Sequence, residues 1–580
     1  MIREFRRLIP LIHRHRWSYV AGVAALLVTS GGQLFIPLLV GNAIDNLVDG
    51  HGVSHVGRIM LTLLGIAVVV GVARFGWRYF IHGASRRIET ELRRNLFDHL
   101  LVLSPEFYRK TKTGDLMARA TNDMQAIRMA TGMALVAFVD GVFMTLAILA
   151  ILITRNLRLA LFTVLPLPLI TVMIVVLGGR IGKLFRKVQE GFSRMSDQAQ
   201  EVLSGIRVVK ALVKEDFFLR RFADANENYQ RRNMQLVRVW GLFFPLVTFL
   251  SGTTLLILLW FGGRALLDGT ITTGDFVATL GYLQMLTWPM LGAGFTVNML
   301  QRGAASLGRI NEVLNTPAGI RSPADGRRSP PRGSVEVRNL TFLFPDQETP
   351  ALRDLSFSLP RGDVLGILGR TGSGKSSVAQ VLPRLLDPPV GTVFIDGTDI
   401  RRYDLDTLRR AFGIVSQDTF LFSATIMENI RFARPDASRE NAIKAGTLAA
   451  LGRDIDTFPQ GWDTVVGERG VTLSGGQRQR IAIARALLPD PEILILDDAL
   501  SAVDTRTEER ILSEVLRIRK NLTTVVISNR VSTLKHADRI LVLEDGAVVQ
   551  QGTHESLLLE PGLYRDIFHL QQLERIKESA

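Results

Sequence analysis

Apolar residues gather into six long stretches in the first half of the chain: Trp17 to Val40, Ile59 to Phe80, Gly132 to Thr154, Leu159 to Leu177, Trp240 to Phe261, and Phe276 to Leu300. A helix crosses the hydrocarbon core in about 20 mostly apolar residues, so the pattern predicts six membrane spans. Spans three and four, and five and six, are joined by short connectors. The gaps between two and three and between four and five are long, charged and helix-favouring. They predict helices that continue well past the membrane. Arg86, Arg87, Arg93, Arg94, Arg109, Lys110 and Lys112 crowd the first gap; Lys183, Arg186, Lys187, Lys210 and Lys214 the second. The bias of Lys and Arg to cytoplasmic loops places both gaps in the cytoplasm. Arg155 and Arg158, in an outward connector, are outnumbered. Among ionisable groups inside the spans, Asp140 is expected to face a cavity or pair with a neighbouring helix. Arg74 and Arg78 fall at the cytoplasmic end of span two.

The pattern changes after Asn315. Residues 315–334 are rich in Pro, Gly, Arg and Ser and read as a linker. From 335 onward short β-rich runs alternate with helical ones, the pattern of an α/β core. The expected organisation is a transmembrane domain over 1–314, a linker over 315–334 and a soluble α/β domain over 335–580. The mixture of positive mean hydropathy with 21% charged residues fits that division. Met1 to Arg16 is basic and amphipathic and reads as an interfacial helix before a retained first span. The net charge of +14 follows from the cytoplasmic basic clusters and gives no reason to expect a nucleic-acid partner. With no cysteine, disulfide and thiol chemistry are excluded.

The soluble half carries the chemistry. Val364 to Leu368 reads as a buried strand, followed by Gly369-Arg370-Thr371-Gly372-Ser373-Gly374-Lys375-Ser376-Ser377 opening a helix. A strand, a glycine-rich loop and a helix N-terminus in this order cradle phosphates with backbone N–H groups. Lys375 would neutralise the β- and γ-phosphates, and the Ser376 hydroxyl would ligate Mg2+. Ile493 to Asp497 is a fully apolar strand ending in a carboxylate suited to the same ion. Between them lies Leu473-Ser474-Gly475-Gly476-Gln477, where Ser474 is placed to cap a helix.

That pentapeptide between a phosphate loop and an apolar strand ending in Asp resembles the ATP-binding-cassette (ABC) ATPases. With six preceding spans, the chain resembles bacterial ABC multidrug and lipid exporter half-transporters. The resemblance implies ATP and Mg2+ as ligands, and Ser474, Gly475, Gly476 and Gln477 serving the nucleotide of a partner subunit. It implies that Phe344 stacks on adenine and that Gln417 contacts magnesium or the attacking water. Thr113 to Arg119 and Ser204 to Ala211 resemble coupling helices. Gly467-Glu468-Arg469-Gly470 resembles the exporter-specific loop, and Ser501 to Asp504 the D-loop.

Two positions depart from the family. Asp498 stands where a catalytic Glu is usual, and Asn529 where exporters carry His. Asp is shorter by about 1.5 Å, and a misplacement of about 1 Å costs on the order of a hundredfold in rate. The expectation is therefore the degenerate-site half of a heterodimer in the inner membrane, driving hydrophobic drugs or lipids outward by alternating access. A homodimer with two weak sites and an ATP-gated channel or regulatory subunit are the alternatives. A soluble ABC ATPase is excluded by the spans.

Overall fold

The computed structural model describes residues 2–50, 53–467, 470 and 473–579. Glu468 and Arg469 of the expected exporter-specific loop lie outside them. The chain forms two compact units: Met1–Leu101 with Lys112–Thr316, and Val102–Thr111 with Pro317–Ala580.

The first unit is helical throughout. Among the described residues four helices, Arg16–Val48, His55–Val102, Thr113–Arg155 and Glu215–Leu267, are long and apolar enough to cross a membrane. The second and fourth of these have 48 and 53 residues, roughly 70–80 Å at 1.5 Å per residue. A hydrocarbon core of about 30 Å accommodates less than half of that, so both project far beyond it, as the charged gaps predict. The expected fourth span differs: the helix breaks at Leu165–Pro166, between Leu157–Val164 and Leu167–Ser204. The expected sixth falls within the 43-residue helix Thr273–Asn315. Both are long enough to cross.

The outward end is knitted by polar contacts. A Cβ on Gly41 would lie 2.5 Å from the Gly274 carbonyl oxygen, so only glycine permits this approach. There Asp45 accepts from the Gly274 N–H at 2.6 Å and from Thr272 Oγ1 at 2.7 Å. Arg155 pairs with Asp275 at 2.8 Å, which accounts for a basic residue in an outward connector. Ser30 donates to Asp140, so that carboxylate has a partner on the first helix.

In the second unit β1 (Val335–Phe342), β2 (Leu352–Leu359), β4 (Val393–Ile395) and β5 (Thr398–Asp399) form an antiparallel sheet, ordered β2-β1-β4-β5. The main sheet has the order β10-β9-β3-β8-β7-β6. Its strands are β3 (Val364–Gly369), β6 (Phe412–Val415), β7 (Ile493–Asp497), β8 (Thr523–Ile527), β9 (Arg539–Glu544) and β10 (Ala547–Gly552). Strands β7 and β8 are buried at every position, the signature of a parallel sheet covered on both faces. Ile367 of β3 and Asp497 of β7 flank Ile527 of β8 in register. The loops leaving three strands thus converge at one edge, where α/β sheets bind ligands.

Thr113–Ala118 forms a short helix of the first unit, and Val102–Thr111 just before it belongs to the second. Its helix, Pro105–Lys110, starts at a proline after the extended Ser104. Lys110 and Arg109 reach Asp346 at 3.0 and 3.4 Å, which holds it there. The second expected segment does form a short helix, Ile206–Ala211, after Gly205.

Candidate nucleotide site

The phosphate loop leaves β3 and turns into the helix Lys375–Val381. Gly374 takes φ +94°, and a Cβ there would lie 2.4 Å from the Ala351 carbonyl oxygen, so backbone conformation and space both require glycine. Lys375 is buried, and its Nζ donates to the carbonyls of Gly369 and Arg370 at 2.6 and 2.8 Å. Burial pushes its ammonium below the usual lysine range, against the pull of Asp498 and Asp497. Ser373 Oγ is buried without a hydrogen-bond partner. An orphaned hydroxyl in a glycine-rich loop fits a phosphate oxygen.

A cavity of ≈ 750 Å³ opens above the loop. Phe344, Thr371 to Ser377, Gln417, Asp498 and Asn529 all line it. The sequence placed these residues in five separate segments; the sheet brings them to one edge. Gly369 and Arg370 lie beneath, offering their carbonyls to Lys375. Asp497 is buried and accepts from Ser376 Oγ at 3.3 Å. Burial raises its carboxyl above the ordinary range; the Ser376 bond and Lys375 oppose this, and neighbouring Asp498 reinforces it. The paired oxygens of Ser376 and Asp497 suit a hard divalent cation such as Mg2+. Among the described residues no cluster of three or more His, Cys, Asp or Glu exists. Such an ion would complete its shell with phosphate and water oxygens, as Mg2+ commonly does.

Asp498 sits just past β7 with φ +46°, and its N–H donates to the Ile527 carbonyl at 2.9 Å. Its two carboxylate oxygens accept from the N–H and Nδ2 of Asn529 at 3.3 and 3.2 Å. The two departures noted in the sequence are therefore hydrogen-bonded to each other.

Ser474 to Gln477 line neither this cavity nor the smaller one beside it. Ser474 caps the helix Gly475–Leu487 through a capping box. Its Oγ accepts from the Gln477 N–H at 3.2 Å, and its own N–H donates to Gln477 Oε1 at 2.9 Å. The helix N-terminus directs a positive dipole end outward.

The chain matches the family model "ABC transporter transmembrane region" over residues 19–290 and "ABC transporter" over 352–501. It is 37% identical over 585 residues to "Multidrug resistance-like ATP-binding protein MdlA" of Escherichia coli, covering 100% of this chain and 98% of that protein.

The chain belongs to the ABC transporter family.

It is also 37% identical over 567 residues to "Probable multidrug resistance ABC transporter ATP-binding/permease protein YheI" of Bacillus subtilis, covering 97% and 96%. It is 31% identical over 573 residues to "ATP-dependent lipid A-core flippase" of Photobacterium profundum, covering 98% and 97%. A solved bacterial Atm1-family ABC exporter with ATP bound shares the fold at a TM-score of 0.76 and 29% identity, covering 96% and 98%. The protein is an ABC exporter half-transporter, a membrane domain and an ATP-binding domain in one chain. It couples ATP hydrolysis to translocation and works as a dimer in a lipid bilayer with its ATPase domain in the cytoplasm.

Three residues of the exporter were not anticipated from the sequence. Gln479 donates to Ser501 Oγ and accepts from the Ala502 N–H, both at 3.0 Å, and so ties the loop after Asp498 to the Gly475–Leu487 helix. Glu508 is buried and accepts from Thr533 and, at 2.7 Å, from Arg530, bracing the loop that carries Asn529. Arg109 stacks its guanidinium 4.2 Å from the Phe344 ring centroid. Gln479 sits two residues after the LSGGQ string, a positional hint; nothing local marks Arg109 or Glu508.

Proposed function

We propose that this chain is the degenerate-site half of a heterodimeric exporter in the bacterial inner membrane. Residues 1–314 serve as the transport domain, 315–334 as the linker and 335–580 as the nucleotide domain. The carrying observation is the Asp498–Asn529 couple, with both carboxylate oxygens held by Asn529. A general base must reach the attacking water; this one is short and engaged sideways. Asn529 also lacks the charge that a protonated His would bring to a developing phosphate charge.

In this reading Phe344 stacks adenine, and Gly369 to Ser377 with Lys375 hold the phosphates. Ser376, Asp497 and Gln417 hold Mg2+, which when bound offsets charge on the transferring phosphoryl group. Ser474 to Gln477 present a capped helix N-terminus to the nucleotide of the partner subunit, so this chain supplies an intact half to the partner's site. Closure of two nucleotide-loaded domains drives the transport cavity outward, and hydrolysis at the competent site resets it. The multidrug and lipid A-core names of the relatives support a hydrophobic or amphiphilic cargo. The test is turnover of the purified chain in lipid nanodiscs. Negligible ATPase activity that appears on adding a half-transporter with Glu and His at the two positions is expected. A chain that alone hydrolyses ATP at the rate of such an intact-site exporter overturns the reading.

A further inference from the structure

We propose that the cytoplasmic ends of the first two membrane helices form a binding site for the phosphate headgroup of an anionic phospholipid. A cavity of ≈ 500 Å³ there is lined by Ser18, Arg78, Tyr79, His82, Arg86 and Arg87, among others. Its arginines differ from those that follow on the same helix. Arg93 pairs with Glu89 at 2.6 Å and Arg94 with Asp98 at 3.7 Å, and Arg128, on the neighbouring helix Met124–Thr131, lies 3.6 Å from Glu89. Among the described residues Arg78, Arg86 and Arg87 have no acidic partner; Arg78 only overlies the Trp77 ring at 5.5 Å. Three exposed guanidinium groups beside one cavity, uncompensated, are a charge pattern that calls for an anion. Arginine forks match phosphate oxygens, and Ser18, Tyr79 and His82 offer further polar groups.

The backbone assembles the cluster. Residues 78–82 form a π-turn within the helix. In a regular α-helix Arg86 would lie rotated by about 80° from Arg78, at 3.6 residues per turn. The widened turn removes most of that drift, so Arg78, His82 and Arg86 share a side. Such bulges recur at functional sites. The location then selects a lipid over a soluble anion. The apolar stretch Ile59 to Phe80 ends at the cavity, and Trp17, Trp77 and Tyr79 supply the aromatic residues typical of the membrane interface. Val72 and Phe75, 69% and 70% exposed one to two turns deeper, offer an apolar track for acyl chains. The cytoplasmic leaflet is where anionic lipids attract juxtamembrane arginines.

Native mass spectrometry of the intact protein tests this with phosphatidylglycerol, phosphatidylcholine and inorganic phosphate as probes. Phosphatidylglycerol should bind in preference to phosphatidylcholine. Replacing Arg86→Gln and Arg87→Gln together should weaken phosphatidylglycerol about thirtyfold, from about one kcal/mol per interfacial arginine. Arg86→Lys with Arg87→Lys should keep most of the preference, which separates loss of the site from misfolding. Arg220→Gln with Arg221→Gln, exposed arginines elsewhere on the cytoplasmic extensions, should change nothing. An equal loss in that control, no preference between the two lipids, or displacement of phosphatidylglycerol by millimolar inorganic phosphate overturns the proposal.

Discussion

Replacing Asp498 with Glu and Asn529 with His together should raise kcat of the isolated chain by about two orders of magnitude. The backbone cannot take up the difference in reach. The Asp498 N–H is bonded to Ile527 at 2.9 Å, which fixes its Cα beside β8. Only side-chain length remains, and Glu adds about 1.5 Å. A misplacement of about 1 Å is worth on the order of a hundredfold, about 2.7 kcal/mol of barrier at 1.36 per decade. Asp498→Glu alone should recover less, because the Asn529 amide would still compete for the carboxylate through the contacts now at 3.2 and 3.3 Å. There is a cost in stability. Asp498 occupies left-handed backbone at φ +46°, which Asp tolerates better than Glu by up to about 1 kcal/mol. The double variant should therefore be faster and slightly less stable. Phosphate release at saturating Mg-ATP, with Lys375→Ala as the blank, gives the rates. If the wild-type chain and the double variant differ by less than threefold, carboxylate reach does not limit this site.

In the assembled pair, Ser474→Ala removes a helix cap worth about 1 kcal/mol and should cut turnover more than tenfold. Asp498→Ala should cost under threefold there; equal losses would refute the division of labour. Arg109→Ala should weaken nucleotide binding by a few fold, measured as Kd by a fluorescent ATP analogue. It removes a cation–π contact worth about 0.5–1 kcal/mol and part of an exposed ion-pair cluster with Asp346 worth less still. An unchanged Kd would mean the Phe344 platform is indifferent to its backing. Asp497→Asn should raise the melting temperature of the nucleotide-free protein at pH 7 while abolishing Mg-dependent nucleotide stabilisation. The sign follows from burial. The folded pKa of Asp497 lies above its unfolded value, so the folded state binds the proton more tightly. Stability from this group is present below the unfolded pKa and lost as pH rises through the folded one. The Asn variant should lose that slope; thermal melts between pH 4 and 8 read it directly, and an unaltered slope refutes the assignment.

Much of this architecture is written locally. The phosphate loop, Asp497 and Asn529 each follow an apolar run that can only be a buried strand, and parallel strands deliver their following loops to one edge. Ser474 caps its helix by a rule that spans three residues. The membrane half was less legible. The apolar run of the expected fourth span did not show that its helix breaks at Leu165–Pro166, and the long helix Thr273–Asn315 runs past the sixth apolar stretch at both ends. Arg155 looked anomalous because its partner Asp275 comes from another outward connector. The contacts of Pro105–Lys110 were not legible because its partners, Asp346 and Phe344, lie far along the chain. Charge in a basic gap says which side of a membrane a residue occupies, not which ring it stacks on.

The same limit bears on the two departures from the family pattern. Read along the chain they are separate events, 31 residues apart. In the sheet they cannot be separate. Asp497 is in register with Ile527 across β7 and β8, which brings Asp498 and Asn529 together just beyond that pair. A short carboxylate at one position leaves its oxygens beside whatever occupies the other, and Asn supplies two donors at that distance without a charge. Each residue thus fits the other better than it fits the usual partner. His at 529 would face a carboxylate too short to position a water, and Glu at 498 would still have the Asn amide competing for its oxygens. If the site is degenerate as proposed, this contact couples its two departures, and reverting either position alone should yield less than its share of the double variant's gain.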